Sequence, residues 1–424
     1  MIKKYLTSTV AKNAASLYLI HFANYLLPLI TVPYVVRVLT PFGYGLVSFG
    51  QSFIAYFSIF IDFGFNFSIT RKISVSRHDQ AMISRIAFSV WTAKLLLFLL
   101  GFLALLFLIH LVPTLRDNRL LLLVLYGAAL GQVLFPTWLF QGLERMVYIS
   151  VINLSIRLLV VVGIFTLIKQ PEDYLLYAGL NSLGSFLAGV VGIVWAIRLF
   201  TLKPIIPTYG EIWETFKEGW MLFLSKTSVS LYTVGNSFIL GMLTTPTVVG
   251  YYSAGEKIMT SILSLIGPIS QAAYPHFAKM AADSKALALQ WARRMLFLNG
   301  AIGLFISFLL IIGAPLIVNV ILGKQFSPSI NVIRILGFIP IFVAIGNVFG
   351  IQIMVPFRKD FLYASIHIIA GLINLSLAFL LIPLWQEIGM ATAVLFSEFI
   401  VTSSMFAVLT IHNMNPIINN WEKA

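Results

Sequence analysis

Apolar residues fall along this chain in blocks of about twenty, divided by short polar stretches. A helix of that length, rising 1.5 Å per residue, crosses the roughly 30 Å of bilayer hydrocarbon. At that depth no water can satisfy backbone N–H and C=O groups, so each block is expected to pair its own backbone as a helix. The short alternating segments of a transmembrane β-barrel are not seen. Twelve blocks can be drawn, over residues 15–36, 45–69, 86–111, 120–140, 148–168, 175–199, 220–240, 251–273, 295–322, 331–354, 361–384 and 389–411. The expected fold class is all-α integral membrane, with twelve transmembrane helices.

Composition agrees with this pattern. Of 424 residues, 59% are hydrophobic and only 10% are charged, against about 25% charged in soluble domains. So few charges cannot clothe a soluble surface of this mass. The absence of cysteine excludes disulfides, thiolate metal sites and cysteine catalysis. Lys3, Lys4 and Lys12 precede the first block, and no small-residue cleavage site follows a short apolar core. An uncleaved first span is therefore expected.

The formal net charge of +13 would suggest nucleic acid in a soluble chain. Here its distribution points to topology instead. Twelve spans put both termini on one side of the membrane. That side carries 18 of the 28 Lys and Arg residues, the other side carries 5, and 5 lie within spans. Positive loops stay cytoplasmic, so both termini are expected in the cytoplasm and no nucleic-acid partner is expected. The longest inner connections, 71–85, 198–219 and 275–294, are too short for a soluble catalytic domain.

The chain also repeats. Gly45-Leu-Val-Ser48-Phe-Gly50-Gln51 opens the second span and Gly250-Tyr-Tyr-Ser253-Ala-Gly255-Glu256 the eighth, both after a Leu-Thr pair. Gln141 and Gln352 match at a nearly equal offset, in spans four and ten. Gly127-x-x-x-Gly131 and Gly346-x-x-x-Gly350 fall in the same two spans and permit close helix approach. Two six-helix lobes are expected, 1–205 and 206–424. An even number per half relates them by an axis along the membrane normal, as in transporters that hold substrate between halves.

A charge at the bilayer centre costs at least about 2.5–3.5 kcal/mol on insertion scales. Lys94, Arg157, Lys226, Lys257 and Arg334 are the basic residues within spans, and Asp62, Glu256 and Glu398 the acidic ones. Arg37 and Arg71 at span ends add to the positive surplus. A water-filled cavity that attracts an anion is one reading, and snorkelling to the headgroups is the other. Arg334 suits snorkelling. Arg157 lies about nine residues from either end of its span and suits the cavity. Lys94 and Lys226 admit both readings. Asp62, Glu256 and Glu398 are candidates either for ion coupling or for pairing with a buried base. His21 and His367 suit packing. Pro28, Pro33, Pro136, Pro268, Pro315 and Pro340 fall inside spans and should bend or break them. No P-loop, dinucleotide fingerprint or H-E-x-x-H motif is present. ATP hydrolysis and a bound cofactor are not expected, and an ion gradient (H⁺ or Na⁺) or consumption of the product is the expected drive.

Several segments resemble the Wzx-type flippases of bacterial polysaccharide assembly, in the multidrug/oligosaccharidyl-lipid/polysaccharide exporter superfamily. They are Asn24-Tyr-Leu-Leu-Pro28 through Arg37 with Gly43-Tyr-Gly45, Asp62-Phe-Gly64-Phe-Asn66 through Arg71, Trp138-Leu-Phe-Gln141-Gly142-Leu-Glu144-Arg-Met146, Ile239-Leu-Gly241, Val249-Gly250-Tyr-Tyr-Ser253 and Gln271-Ala-Ala-Tyr274-Pro275. The resemblance implies two six-helix lobes around a V-shaped cavity, with alternating access. It also implies an inner-membrane flippase for an undecaprenyl-pyrophosphate-linked oligosaccharide, moved from the cytoplasmic to the periplasmic leaflet. Membrane lipids surround such a monomer, and a polysaccharide polymerase and chain-length regulator act in the same pathway.

On this reading Arg157, Lys94, Lys226, Lys257, Arg37 and Arg71 face the anionic pyrophosphate or its sugars. Asp62, Glu256 and Glu398 are left for ion coupling. A cation-coupled multidrug antiporter of the same fold is the first alternative, though its cavity should be acidic. A membrane polymerase or glycosyltransferase is the second. The large periplasmic loop of the former is missing, and the first outer loop, 38–44, has no acid. O-antigen, capsule and other exopolysaccharides remain alternative sources of the glycan.

Overall fold

A computed structural model describes the backbone of residues 9–264, 277, 280–281 and 283–418, with side chains from residue 30 apart from 225, 228–229 and 231–232. Lys3, Lys4, Pro268, residues 271–275 and the side chains of Lys12, His21 and Pro28 lie outside these.

No strand occurs among the described residues. Eight helical stretches there are long and apolar enough to cross a membrane: Ile30–Val75, Gln80–Leu111, Arg119–Gly142, Met146–Leu167, Pro171–Leu199, Lys285–Leu322, Ser329–Met354 and Asp360–Ile411. Their outward faces are apolar. Leu99, Leu103 and Phe107 are exposed on one, and Leu304, Phe305, Phe308 and Ile312 on another. Meanwhile Asp62, Lys94, Asn299, Gln352 and Asn374 are buried. A water-soluble bundle would reverse this arrangement, and hydrocarbon makes it stable. The chain is an all-helical multi-pass membrane protein.

Two of the helices are too long for one crossing, and each is broken near its middle. Thr9–Asp62 is interrupted at Thr40 (φ 62°, ψ 171°) and Asp360–Ile411 at Gln386 (φ 49°, ψ −121°). The first break has a local cause. Thr40 precedes Pro41, whose ring disfavours helical backbone in the residue before it, while Pro41 itself suits the first turn of a new helix. Phe135 before Pro136 is likewise extended, and it separates Arg119–Leu134 from Thr137–Gly142.

The chain divides into two compact units. Met1–Leu39 and Leu46–Ser230 form the first, and Thr40–Gly45 and Leu231–Ala424 the second. In the first unit, helices Arg119–Leu134 and Tyr174–Leu199 meet at glycine. A Cβ on Gly131 would overlap the Ser185 backbone, and one on Gly189 would lie 2.9 Å from the Gly131 Cα. In the second unit a Cβ on Gly350 would overlap the Tyr363 ring and meet Met405 at 3.3 Å. The glycines at 131 and 350 thus act in packing.

The repeated G-x-x-S-x-G segments make matching contacts. Gly50 faces Leu122 and Leu125 in the first unit, and Gly255 faces Val332 and Ile333 in the second. Gly45 and Gly250, both in the second unit, face each other's helix starts. A Cβ on Gly45 would overlap the Pro246 carbonyl, and one on Gly250 the Pro41 carbonyl.

Residues 209–230, after the first six expected spans, belong with the first unit. Helix Tyr209–Thr233 begins at a capping box. The Thr208 N–H donates to Glu211 Oε2 at 2.7 Å, and the Glu211 N–H to Thr208 Oγ1 at 3.4 Å. Its acidic face is tied down by Lys72, 3.0 Å from Glu214 and 2.8 Å from Glu218, and by Arg85, 3.6 Å from Glu211.

Candidate functional site

The segment Asp62-Phe-Gly64-Phe-Asn66 is a helix break. Helix ends at Asp62, Phe63 (φ 45°) and Gly64 (φ 77°) turn left-handed, and Phe65–Val75 begins. Position 64 needs glycine twice over. Its φ is one that glycine adopts freely, and a Cβ there would lie 2.8 Å from the Gly219 carbonyl oxygen. The strained Phe63 is held by stacking on Phe223, with ring centroids 4.6 Å apart at 10°. Asn66 Nδ2 donates to Asp62 Oδ1 at 2.5 Å. Thr70 Oγ1 donates to the Asn66 carbonyl at 2.6 Å and lies 3.2 Å from that of Trp138. The segment 138–146 packs against the same helix. A Cβ on Gly142 would meet Ile73 at 2.7 Å, and Arg77 pairs with Glu144 at 2.7 Å. Two of the segments that carry the family resemblance therefore build one knot, which fixes where Asp62 sits.

Asp62 is 0% exposed and faces two lysines. Lys226 Nζ donates to its Oδ2 at 2.6 Å, and Lys94 Nζ lies 3.9 Å from Oδ1. The longer distance makes an ion pair without a hydrogen bond. Lys94 is 1% exposed, whereas the Lys226 side chain is 40% exposed. Asp62 ends a helix, where carbonyl dipoles disfavour an anion, so the lysines offset both burial and dipole. Two lysines on one carboxylate give the cluster a formal charge of +1. Lys226 is its exposed member.

Arg157 is half-buried and stands in a different place within the first unit. It lines a cavity of about 280 Å³ with Asn153, Ile156 and Val160 on its own helix and Asn181, Gly184, Ser185 and Ala188 on Tyr174–Leu199. Residues 153 and 157 are one turn apart, as are 181 and 185, so each helix turns a polar stripe toward the groove. Val160 fills the space that a Cβ on Gly184 would take, so the two helices approach closely there. No acidic residue is among the described residues that line the groove.

Of the remaining sequence candidates, Arg37, Arg71, Lys257 and Arg334 are exposed. Glu256 and Glu398 are half-buried in the second unit. Glu256 accepts from the Tyr252 hydroxyl at 2.8 Å and from Asn236 Nδ2 at 3.4 Å. His367 Nδ1 lies 2.8 Å from the Tyr363 carbonyl, a packing contact within its helix. The structure thus brings Asp62, Lys94 and Lys226 together and gives Arg157 a groove of its own. Sequence reasoning passed over Asn66, Asn153, Asn181 and Ser185. Polar residues one turn apart on apolar helices were the available signal.

A family model described as "Polysaccharide biosynthesis protein" matches residues 10–281. The chain belongs to that family. Two relatives of this polysaccharide biosynthesis protein carry the description "Putative O-antigen transporter". One, from Escherichia coli (strain K12), is 28% identical over 94% of this chain and 96% of its own length. The other, from Shigella dysenteriae, is 29% identical over 93% and 98%. Among solved structures, "Lipid II flippase MurJ, inward closed conformation" superposes with a TM-score of 0.71, 14% identity and coverage of 95% of this chain and 88% of the other. An inward-facing multidrug resistance MATE family transporter of the MOP superfamily gives 0.70 at 13% identity, over 93% and 96%. The polysaccharide biosynthesis protein therefore shares the fold of these two transporters.

Proposed function

We propose that the protein flips an undecaprenyl-pyrophosphate-linked oligosaccharide, an O-antigen repeat unit, from the cytoplasmic to the periplasmic leaflet of the bacterial inner membrane. Alternating access of two six-helix lobes would carry it across, driven by a proton or Na⁺ gradient. A polymerase of the same pathway would consume the product. The observation that carries this reading is a basic groove, at Arg157, with no acid among its described lining residues, in a chain whose relatives are described as O-antigen transporters. An Arg within a span faces the bundle interior or water, because lipid excludes it. The +1 cluster of Asp62, Lys94 and Lys226 adds a second attraction for an anion, with Lys226 as the group that can reach it. Lys257, Arg37 and Arg71 are proposed as lesser contacts, and Asp62, Glu256 and Glu398 as ion-coupling sites. Twelve crossings are supported by the breaks at Thr40 and Gln386 together with helices Tyr209–Thr233, Asn236–Leu243 and Pro246–Leu263, which join the eight apolar stretches.

The test is complementation of a host lacking the gene. Arg157→Ala should abolish the surface O-antigen ladder while the protein stays in the membrane at normal level, and a full ladder would sink the assignment. The MATE-like fold favours a drug/cation antiporter as the second reading. It requires loss of the gene to change drug sensitivity and to leave polysaccharide intact.

A further inference from the structure

The acids within spans are not held alike. Asp62 is neutralised by two lysines. Glu256, in the second unit, has no lysine or arginine within ion-pair distance among the described residues. Lys257 follows it in sequence, is exposed, and leaves the helix about 100° further round. Both hydrogen bonds to Glu256 fall on one oxygen. The Tyr252 hydroxyl, one turn away on helix Pro246–Leu263, donates to Oε1 at 2.8 Å, and Asn236 Nδ2 lies 3.4 Å from the same atom. Oε2 receives no hydrogen bond from the described residues.

A carboxylate only accepts, so the NH₂ group of Asn236 faces it and the amide oxygen takes the other branch of the planar group. Asn236 is 3% exposed, and its Oδ1 has no hydrogen-bond partner among the described residues. A buried orphan of this kind calls for an ion or a water. The next rung between the same two helices adds two buried hydroxyl oxygens, Ser237 Oγ and Ser253 Oγ, 2.8 Å apart. The backbone breaks at the same place. Helix Tyr209–Thr233 stops, and Asn236–Leu243 begins after Val234 and Gly235. Transporters hold Na⁺ or H⁺ at such interruptions of a spanning helix.

Charge and ligand number select the ion. One carboxylate balances one positive charge, and a divalent ion would leave a charge uncompensated at membrane depth. A proton would occupy one carboxylate oxygen and leave Asn236 Oδ1 without a partner, whereas a hard metal ion takes several oxygens at once.

We propose that Glu256 and Asn236 form the site for the sodium ion whose gradient drives transport. Glu256 Oε2 supplies the negative charge, Asn236 Oδ1 a neutral ligand, and the Ser237–Ser253 pair further oxygens. The proposal rests on the gradient-driven reading above and names the ion and its ligands.

The test uses the full-length protein in nanodiscs, with NaCl exchanged for choline chloride at constant ionic strength. Sodium should raise the thermal stability of the wild type in a saturable way. Glu256→Gln should raise the half-saturating sodium concentration at least about tenfold and Asn236→Leu about fivefold, the sizes of one charged and one neutral contact. Asn236→Asp adds a second carboxylate, so it should lower stability in choline and lower the half-saturating sodium concentration. A purely structural Asn236 predicts equal loss in both salts, which would overturn the proposal. The wild type and Asn236→Asp suffice for the decision if the other variants fail to fold. Equal wild-type stability in the two salts would overturn the proposal, as would stabilisation by acid in place of sodium, which makes Glu256 a proton site. Complementation is read alongside. A gene that restores surface polysaccharide while its protein ignores sodium sinks the sodium site and leaves the glycolipid reading standing. Sodium binding by a protein whose loss leaves polysaccharide intact does the reverse.

Discussion

Replacing Asp62 with Asn keeps the shape of the side chain and removes the anion shared by Lys94 and Lys226. The consequence falls unequally on the two lysines. Lys94 is 1% exposed and 3.9 Å from the carboxylate. At an effective dielectric of about 20, a pair at that distance is worth about 4 kcal/mol. Lys226 is closer, at 2.6 Å, but its side chain is 40% exposed, so solvent screens it and its share is about 1 kcal/mol or less. Breaking one partner from a buried pair typically costs about 3–5 kcal/mol because the other charge is stranded.

Asp62→Asn is therefore expected to destabilise the protein by about that amount, nearly all through Lys94. Lys94→Met in the same chain removes the stranded charge, and the double variant should recover most of the loss. The assay is the fraction of detergent-solubilised protein that stays monodisperse after heating. Unfolding of this kind is generally irreversible, so variants are compared at one heating rate. Wild-type stability in Asp62→Asn, or a double variant no better than the single one, would refute the reasoning. A double variant that is stable and yet silent in transport would show that the Asp62–Lys94 pair serves transport as well as stability.

Gly64→Ala should keep the protein from accumulating in the membrane. The left-handed φ alone costs about 1 kcal/mol or more, and the added methyl meets Gly219 and Phe223. Gly300→Ala, with nothing within 4 Å, should accumulate normally, so equal levels of the two by immunoblot would contradict this account. The Thr208 backbone N–H, then its hydroxyl, hold the Glu211 carboxyl below its ordinary range, with Arg85 and Lys72 adding to the effect. A depressed folded value stabilises above the unfolded glutamate value of about 4.3 and is lost as pH falls through the folded value. Wild type should thus exceed Glu211→Gln in thermal stability at pH 7, and the gap should close below about pH 4; a gap that persists in stronger acid would refute the capping role.

The apolar helices were legible because a bilayer sets one length for every crossing. The break at Thr40 falls between the expected spans 15–36 and 45–69, and that at Gln386 between 361–384 and 389–411. Their places could be read from the loss of apolar pattern, and the fact that helix resumes with almost no loop could not. The segment from Asp62 to Thr70 could be recognised but not explained. Its logic lies in Gly219 and Phe223, more than 150 residues away. The same distance hid the cluster. Asp62, Lys94 and Lys226 were each costly to bury, and cost alone does not say which charges are partners. Arg157 was legible from its depth in an apolar helix.

The contact of Gly45 with the Pro246 carbonyl and of Gly250 with that of Pro41 has the form of an isologous interface: patch A meets B as B meets A. Such reciprocity is ordinary between two copies of one chain and unusual within one. It ties two positions 205 residues apart into one steric constraint. A side chain at either glycine presses on the other's helix start, so neither can drift while its partner stays fixed.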